Sequence, residues 1–484
     1  MTASTASSLA QTRSLLQHLW GYPDFRPPQG DVIQTLLTGQ DALIILPTGG
    51  GKSLCFQLPA LMQTGLTLVI SPLVALMENQ VQDLQQRRLP AALLHSEMAS
   101  VDRKKVLWAL ETQQLRLLYL SPETLLSAPV WQRLCVPNLK INGLIVDEAH
   151  CVAQWGETFR PAYYRLGAVR PALLQHKPPT TRLAIAAFTA TADPTTQDTI
   201  ERILGLDHPH RVRLSPYRSN LFLTVQSIST PRGRRQRLIQ FIGSQFRQSG
   251  LVYVRTRHDS EALAIELKQQ GHATAAYHAG LAANDRRQIE QDWLKGTLQF
   301  VICTNAFGMG ISKPNVRWIV HYHAPFLLSE YVQEIGRAGR DGKPAIALML
   351  ISSWLDPDDK TRWNFFQQQM RSQIQSAQKL AQAIPPHGSV ASVSKQFKEG
   401  AKSLSLLYKT GTLSWLDPFH YEINRHKNNG NRNNTHNAAV NSVQPMQTYL
   451  STKNCRWQSL LSAFGCDEEA KSFCCGHCDL CRKR

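Results

Sequence analysis

For most of its length the chain is nearly without cysteine. Residues 1–454 hold four, Cys55, Cys135, Cys151 and Cys303, whereas the last thirty residues hold six. So low a density excludes the disulfide framework of a secreted domain, and cysteines clustered in a reducing compartment read as metal ligands. Also absent is any apolar run of about eighteen residues, the length that spans a bilayer. The opening stretch MTASTASSLAQTRSLLQHLWGYP has neither the apolar core nor the cleavage site of a signal peptide. The expectation is a cytoplasmic protein, nucleoid-associated if prokaryotic, with no membrane partner. Acidic residues are scarce relative to basic ones, 35 against 53, giving a formal net charge of +18 and a pI near 9.6. That excess points to a polyanion, because Lys and Arg displace counterions condensed on phosphates. A length of 484 residues exceeds one compact core and implies roughly two to four domains.

What is present begins with alternation. DALIILPTGGGKS, GLTLVISP, LRLLYLSP, INGLIVDEAH and RLAIAAFTATAD each read as a buried strand ending in a polar loop, with helical periods between them. The pattern returns from about residue 250 with GLVYVRTR, ATAAYHAG, QFVICTNAFG, VRWIVHYHAP and AIALMLIS. Two α/β units with parallel sheets follow, joined near residues 210–225, with ligands expected at the carboxyl ends of the strands. After Trp354 the period turns helical and polar, and KSLSLLYKTGTLSWLDPFHYEI reads as helix, Gly-containing turn and strand. Residues 424–441, NRHKNNGNRNNTHNAAVN, have almost no apolar content and read as a disordered linker.

Three motifs carry chemistry. LPTGGGKS, residues 46–53, follows a strand as a phosphate-binding loop does, with Thr48 where the usual consensus has its first glycine. Gly49, Gly50 and Gly51 let backbone N–H groups approach the phosphates, Lys52 neutralises their oxygens, and Ser53 can ligate Mg²⁺. IVDEAH places Asp147 to hold the magnesium shell and Glu148 to orient and deprotonate the attacking water. YVQEIGRAGRDG sets Arg337 and Arg340 three apart, expected on one helix face beside Gln333. Such arginines stabilise transition-state charge, an effect of roughly 10³ to 10⁵ in rate where a finger is essential.

Together these strings resemble a superfamily 2 helicase and, more narrowly, the RecQ family of DNA helicases, over residues 15–355 and again over 455–481. YPDFRPPQ resembles the family's adenine motif, which implies that Tyr22 stacks on the base while Arg26 and Gln29 read its edge. FTATA resembles the string that couples hydrolysis to DNA, and AYHAGL together with FGMGISKPNVR resembles the nucleic-acid face of the second domain. The resemblance thus implies DNA-binding or coupling roles for Thr189, Thr191, His278 and Asn305. CVAQWGETFRPAYYRLG resembles the aromatic-rich loop, in which Trp155 and Phe159 stack on bases and Arg160 relays occupancy to the ATP site. The implied fold is α/β, two RecA-like parallel-sheet domains in tandem, residues 1–210 and 211–355. A helical region at 356–423 and the linker lead to a small helical zinc-binding domain at 442–484. The implied activity is ATP-dependent 3′-to-5′ unwinding in repair or recombination, with ATP drawing the two units together. ATP, Mg²⁺ and Zn²⁺ are the implied cofactors. DNA, single-stranded or duplex with a 3′ tail, is the implied partner of a monomer, and single-strand-binding or recombination proteins are candidate partners. A translocase with little unwinding and an RNA helicase are the alternatives.

In the family a zinc module follows the core, which implies Cys455, Cys475, Cys478 and Cys481 as ligands. Cys474 competes with Cys475, but CGHCDLC fits the family pattern from Cys475, and His477 reads as a turn residue. The chain departs from larger relatives in stopping three residues after Cys481, where they continue into a winged helix and a further helical domain. Residues 388–423 are expected either to form a partial winged-helix-like module that replaces the missing strand-separating element or to be an amphipathic packing insert.

Overall fold

A computed structural model of the protein describes residues 3–154, 160–308, 311–352, 357–424 and 444–482. Trp155, Phe159 and the Asn-rich stretch from 425 on lie outside the described residues. The chain divides into two units, Met1–Leu214 with Ser372–Thr435, and Ser215–Arg371 with His436–Arg484.

The first unit is built on seven strands: β1 (Ala42–Ile45), β2 (Leu66–Ile70), β3 (Ala91–Leu94), β4 (Leu117–Leu120), β5 (Ile141–Val146), β6 (Ala184–Thr189) and β7 (His210–Arg213). They pair in parallel in the order β3-β4-β2-β5-β6-β1-β7. The sequences of β1 to β6 are mostly Leu, Ile, Val and Ala because both faces are covered, whereas the edge strand β7, His-Arg-Val-Arg, buries only Val212. Leu43, Ile70, Leu118 and Val146 enter one core, whereas Ile44, Val69, Tyr119 and Ile145 enter the other. Connecting helices carry their own stop signals. The helix Pro194–Leu204 starts on Asp193, whose carboxylate accepts from Thr196 N–H at 2.9 Å, and ends at Gly205 in the left-handed region.

A second, smaller core in this unit closes around Leu380, Ile384, Val393, Leu404, Leu407, Leu413 and Tyr421. The end of the helix Pro357–Ala383 is followed by strand β14 (His387–Ser389), the helices Val390–Gln396 and Gly400–Lys409, and strands β15 (Leu413–Trp415) and β16 (His420–Ile423). The strands are antiparallel in the order β14-β16-β15, and the chain order is that of a winged helix. Where the sequence suggested one strand after Gly411, there is a hairpin. Asp417 turns the chain by accepting from Phe419 N–H at 2.6 Å and His420 N–H at 2.9 Å.

The second unit holds six parallel strands, β8 (Leu221–Ile228), β9 (Ser249–Tyr253), β10 (Thr274–Tyr277), β11 (Phe300–Cys303), β12 (Val316–His321) and β13 (Ala345–Ser352). Their order, β10-β11-β9-β12-β13-β8, leaves β8 at an edge. The cysteine-rich tail covers that edge. Asp479 N–H donates to Leu223 O at 3.1 Å, Val225 N–H donates to the Asp479 carboxylate at 3.2 Å, and Trp457 Nε1 donates to Leu221 O at 3.2 Å. Backbone groups that would otherwise offer a template for another chain are thereby satisfied. Among the described residues, no helix is long and apolar enough to cross a membrane.

Candidate nucleotide and metal sites

Strands β5, β6 and β1 are neighbours, so the loops at their carboxyl ends converge. The loop after β1 needs glycine for its backbone: Gly49 has φ +88° and Gly51 φ +76°, values that side chains disfavour. A Cβ on Gly51 would also lie 2.2 Å from Gln29 Nε2. Gly51 leads into the helix Lys52–Met62, whose open N–H groups and dipole favour an anion. Lys52 Nζ donates to Leu46 O at 3.3 Å, and Ser53 is half-buried in the first turn. Gln29 is buried, its amide donating to Gly50 O and its carbonyl accepting from Arg26 N–H, both at 3.0 Å. It braces the loop in this structure, while Tyr22 and the Arg26 side chain stand exposed.

After β5, Asp147 is buried, accepting from Glu148 N–H at 3.0 Å and Gln80 Nε2 at 3.4 Å. Burial, reinforced by the Glu148 charge and opposed by Lys52, raises its pKa to about 6. Glu148 takes φ +49°. This is an uncommon conformation for a residue with a side chain, of the kind that gathers at functional sites. Its carboxylate lies 3.3 Å from His150 Nδ1, which also lies 3.0 Å from Thr189 Oγ1. Thr189 in turn donates to Thr191 O at 3.1 Å. Burial opposes protonation of His150, but the neighbouring Cys151 and Glu148 oppose that effect and its pKa is raised above the ordinary imidazole value. Of the two, Glu148 is the effective partner, since burial also pushes the Cys151 thiol upward and keeps it protonated. A polar path therefore runs from Glu148 through His150 to the FTATA string. His150 and Gln80 had no role in the sequence reading: His150 stood inside a string read for its acids, and a lone helical glutamine carries no signal.

In the second unit the helix Leu328–Ile335 ends at Gly336, and Arg337 and Arg340 lie in the turns beyond it. This corrects the expectation that both project from one helix face. Gly336 caps the helix in a right-handed conformation, and Gly339, with φ +57°, bends the chain again between the two arginines, ahead of β13. Arg337 is buried, and one Nη donates to Gly308 O. A Cβ on Gly308, which has φ +108°, would lie 2.6 Å from the Arg337 Cζ. Arg340 donates to Ile311 O at 3.2 Å and Ser312 Oγ at 3.3 Å. Each guanidinium thus donates to a backbone carbonyl, Arg337 to Gly308 and Arg340 to Ile311. Gln333 is half-buried and Asn305 exposed. His278 is buried, its Nε2 lying 2.8 Å from Glu261 Oε1 and its Nδ1 accepting from Gly280 N–H at 3.2 Å, so it shapes its loop. In the first unit Arg160 reaches Glu123 at 3.5 Å.

The sulfurs of Cys455, Cys475, Cys478 and Cys481 all lie within 4.8 Å of one another. A tetrahedral zinc with Zn–S bonds of about 2.3 Å needs S···S edges of about 3.8 Å. Cys475 and Cys481 are 3.8 Å apart, and Cys478 and Cys481 3.4 Å. Backbone N–H groups are aimed at the sulfurs, Cys475 N–H at Cys455 and Cys478 N–H at Cys475, as suits thiolates. The donor set fits a closed four-thiolate site. Cys474 is exposed and lies 3.5 Å from Cys481. Asp479 holds the preceding helix Arg456–Ala463 through a buried bidentate pair with Arg456, both contacts at 3.0 Å.

Comparison with known proteins agrees with this geometry. Residues 26–200 match the DEAD/DEAH box helicase family, 233–342 the helicase conserved C-terminal domain, and 421–482 the RecQ zinc-binding family. The chain is 48% identical over 469 residues to the ATP-dependent DNA helicase RecQ of Synechocystis, covering 96% of this chain and 97% of that protein. It is 41% identical over 346 residues to the RecQ of Haemophilus influenzae, covering 71% of this chain and 54% of the relative. Among solved structures, Dbp5 of S. cerevisiae bound to RNA and ADP BeF3 shares the fold, with a TM-score of 0.57 at 17% identity, covering 74% of this chain and 92% of that one. The two parallel-sheet units, the phosphate loop and the terminal cysteine cluster thus place the chain in the RecQ family of ATP-dependent DNA helicases.

Proposed function

We propose that the protein uses ATP hydrolysis to translocate 3′ to 5′ on single-stranded DNA and to unwind duplex, in repair or recombination. The observation that carries this reading is the polar path from Glu148 through His150 to Thr189 and Thr191, which starts at the hydrolytic carboxylate and ends in the string assigned to DNA coupling. Lys52 and the N–H groups of residues 49–53 bind the phosphates. Glu148 orients and deprotonates water. Arg337 and Arg340 neutralise charge on the transferred phosphoryl group. Tyr22 supplies an exposed face for the adenine, with Arg26 and Gln29 at its edge. Ser53 and Asp147 would hold Mg²⁺, which supplies charge neutralisation at the phosphates when bound. Trp155 and Phe159 stack on bases of the strand and Arg160 relays its occupancy to the ATP site; in the second unit, Asn305 and the loop shaped by His278 are DNA contacts. Four cysteines hold structural zinc.

Lys52→Ala tests the assignment of the ATP site. Hydrolysis should disappear while single-stranded DNA binding, read by fluorescence anisotropy, persists. Retained hydrolysis would overturn the assignment.

A further inference from the structure

A winged helix ordinarily offers its second helix of the helix pair to a duplex groove. Here that helix, Gly400–Lys409, has no fully exposed position. Leu404 and Leu407 fill the module's own core, and the other side rests on the short helix Pro161–Ala168. Ser405 Oγ lies 3.0 Å from Pro161 O and 3.1 Å from Ala401 O of its own helix, so its one proton is shared between the two carbonyls. The Tyr408 ring meets Tyr164 edge-on, centroids 6.1 Å apart. The hairpin closes the same joint from the far side. Arg165 donates to Pro418 O at 3.2 Å, and Phe419 meets Trp131 edge-on at 5.2 Å. Tyr408 and Phe419 pack against the main core of the first unit.

What the module grips is the continuation of the aromatic-rich segment. Pro161 follows Arg160 directly, and Tyr163 N–H donates to Arg160 O at 3.1 Å. We propose that residues 387–423 are a positioning element for that segment: by holding Pro161, Tyr164 and Arg165, they fix Arg160 and thereby set how tightly single-stranded DNA is sensed by the ATPase. This inference rests on the DNA-coupling role proposed for Arg160. It assigns Ser405, Tyr408 and Arg165 as positioning residues and leaves the module no free helix for reading a duplex.

Ser405→Ala removes the bond to Pro161 without touching a reacting group. A hydrogen bond of ordinary strength corresponds to an effect of about two- to tenfold. The DNA concentration giving half-maximal ATPase stimulation should rise by about that factor, basal hydrolysis should stay the same, and Ser405→Thr should restore the wild-type value. Arg165→Gln, which loses the Pro418 contact, should do likewise and serves if Ser405→Ala fails to fold. An unchanged half-stimulating concentration in a folded variant would overturn the proposal. So would loss of unwinding with stimulation intact, the result expected of a duplex-binding module. Arg160→Ala keeps the two readings apart. If it retains full stimulation, the coupling role itself fails; if it loses stimulation while both positioning variants behave as wild type, only the positioning role fails.

Discussion

Asp147 shows how burial makes one residue sensitive to its surroundings. Its pKa, raised to about 6, means that it is largely ionised at neutral pH and protonated below that value. A proton and a cation then compete for the same oxygens. The magnesium concentration needed for half-maximal ATP hydrolysis should therefore rise as pH falls through 6, approaching tenfold per unit, while it changes little between pH 7 and 8. A flat magnesium requirement between pH 5 and 7 would remove Asp147 from the cation shell. Cys474 and Cys475 are separated by a different observable. Cys474→Ser should retain about one zinc per chain, whereas Cys475→Ser should release it. The reverse pattern in metal analysis would exchange their roles. At Gly308 an added Cβ meets the Arg337 guanidinium at 2.6–2.7 Å and the backbone φ is unfavourable, so Gly308→Ala should lower hydrolysis with the fold retained. A variant with wild-type turnover would show that this contact does not position Arg337.

Elements whose signals are local were readable from residues alone. The strand, glycine loop and lysine of residues 42–53 sit within twelve positions, and the thiols of CGHCDLC stand three apart, whereas Cys455 as fourth ligand and Cys475 over Cys474 were implied by the family resemblance. The end of the helix before Arg337 was misread because the interval of three residues fits a helix and a pair of turns alike. The third strand of the small module escaped because His387–Ser389 is three residues long and gains its structure from β16, thirty-odd positions away. Nor does local spacing reveal that Asp479, inside CDLC, completes the edge of β8. That edge gives the zinc cluster an energetic role, since metal binding contributes roughly 10 to 16 kcal/mol in zinc-finger peptides. Chelation should first raise amide exchange in β8 and its partner β13, and should promote association through the opened edge. Protection unchanged after complete zinc removal would mean that the tail holds its place without metal.

For the molecule as a whole, two parallel-sheet units carry the residues assigned to hydrolysis, and a basic chain of net charge +18 meets a polyanion. Salt should accordingly weaken DNA binding steeply in all variants that leave basic residues intact. ATP hydrolysis at Lys52 and Glu148 is proposed to drive polar unwinding of DNA. Strand displacement on matched duplexes bearing a 3′ tail, a 5′ tail or no tail tests it most directly. The 3′-tailed duplex should be opened, only with ATP, and by the wild-type protein but not by Lys52→Ala. Displacement without ATP, equal opening from a 5′ tail, or hydrolysis stimulated by DNA with no displacement at all would contradict it.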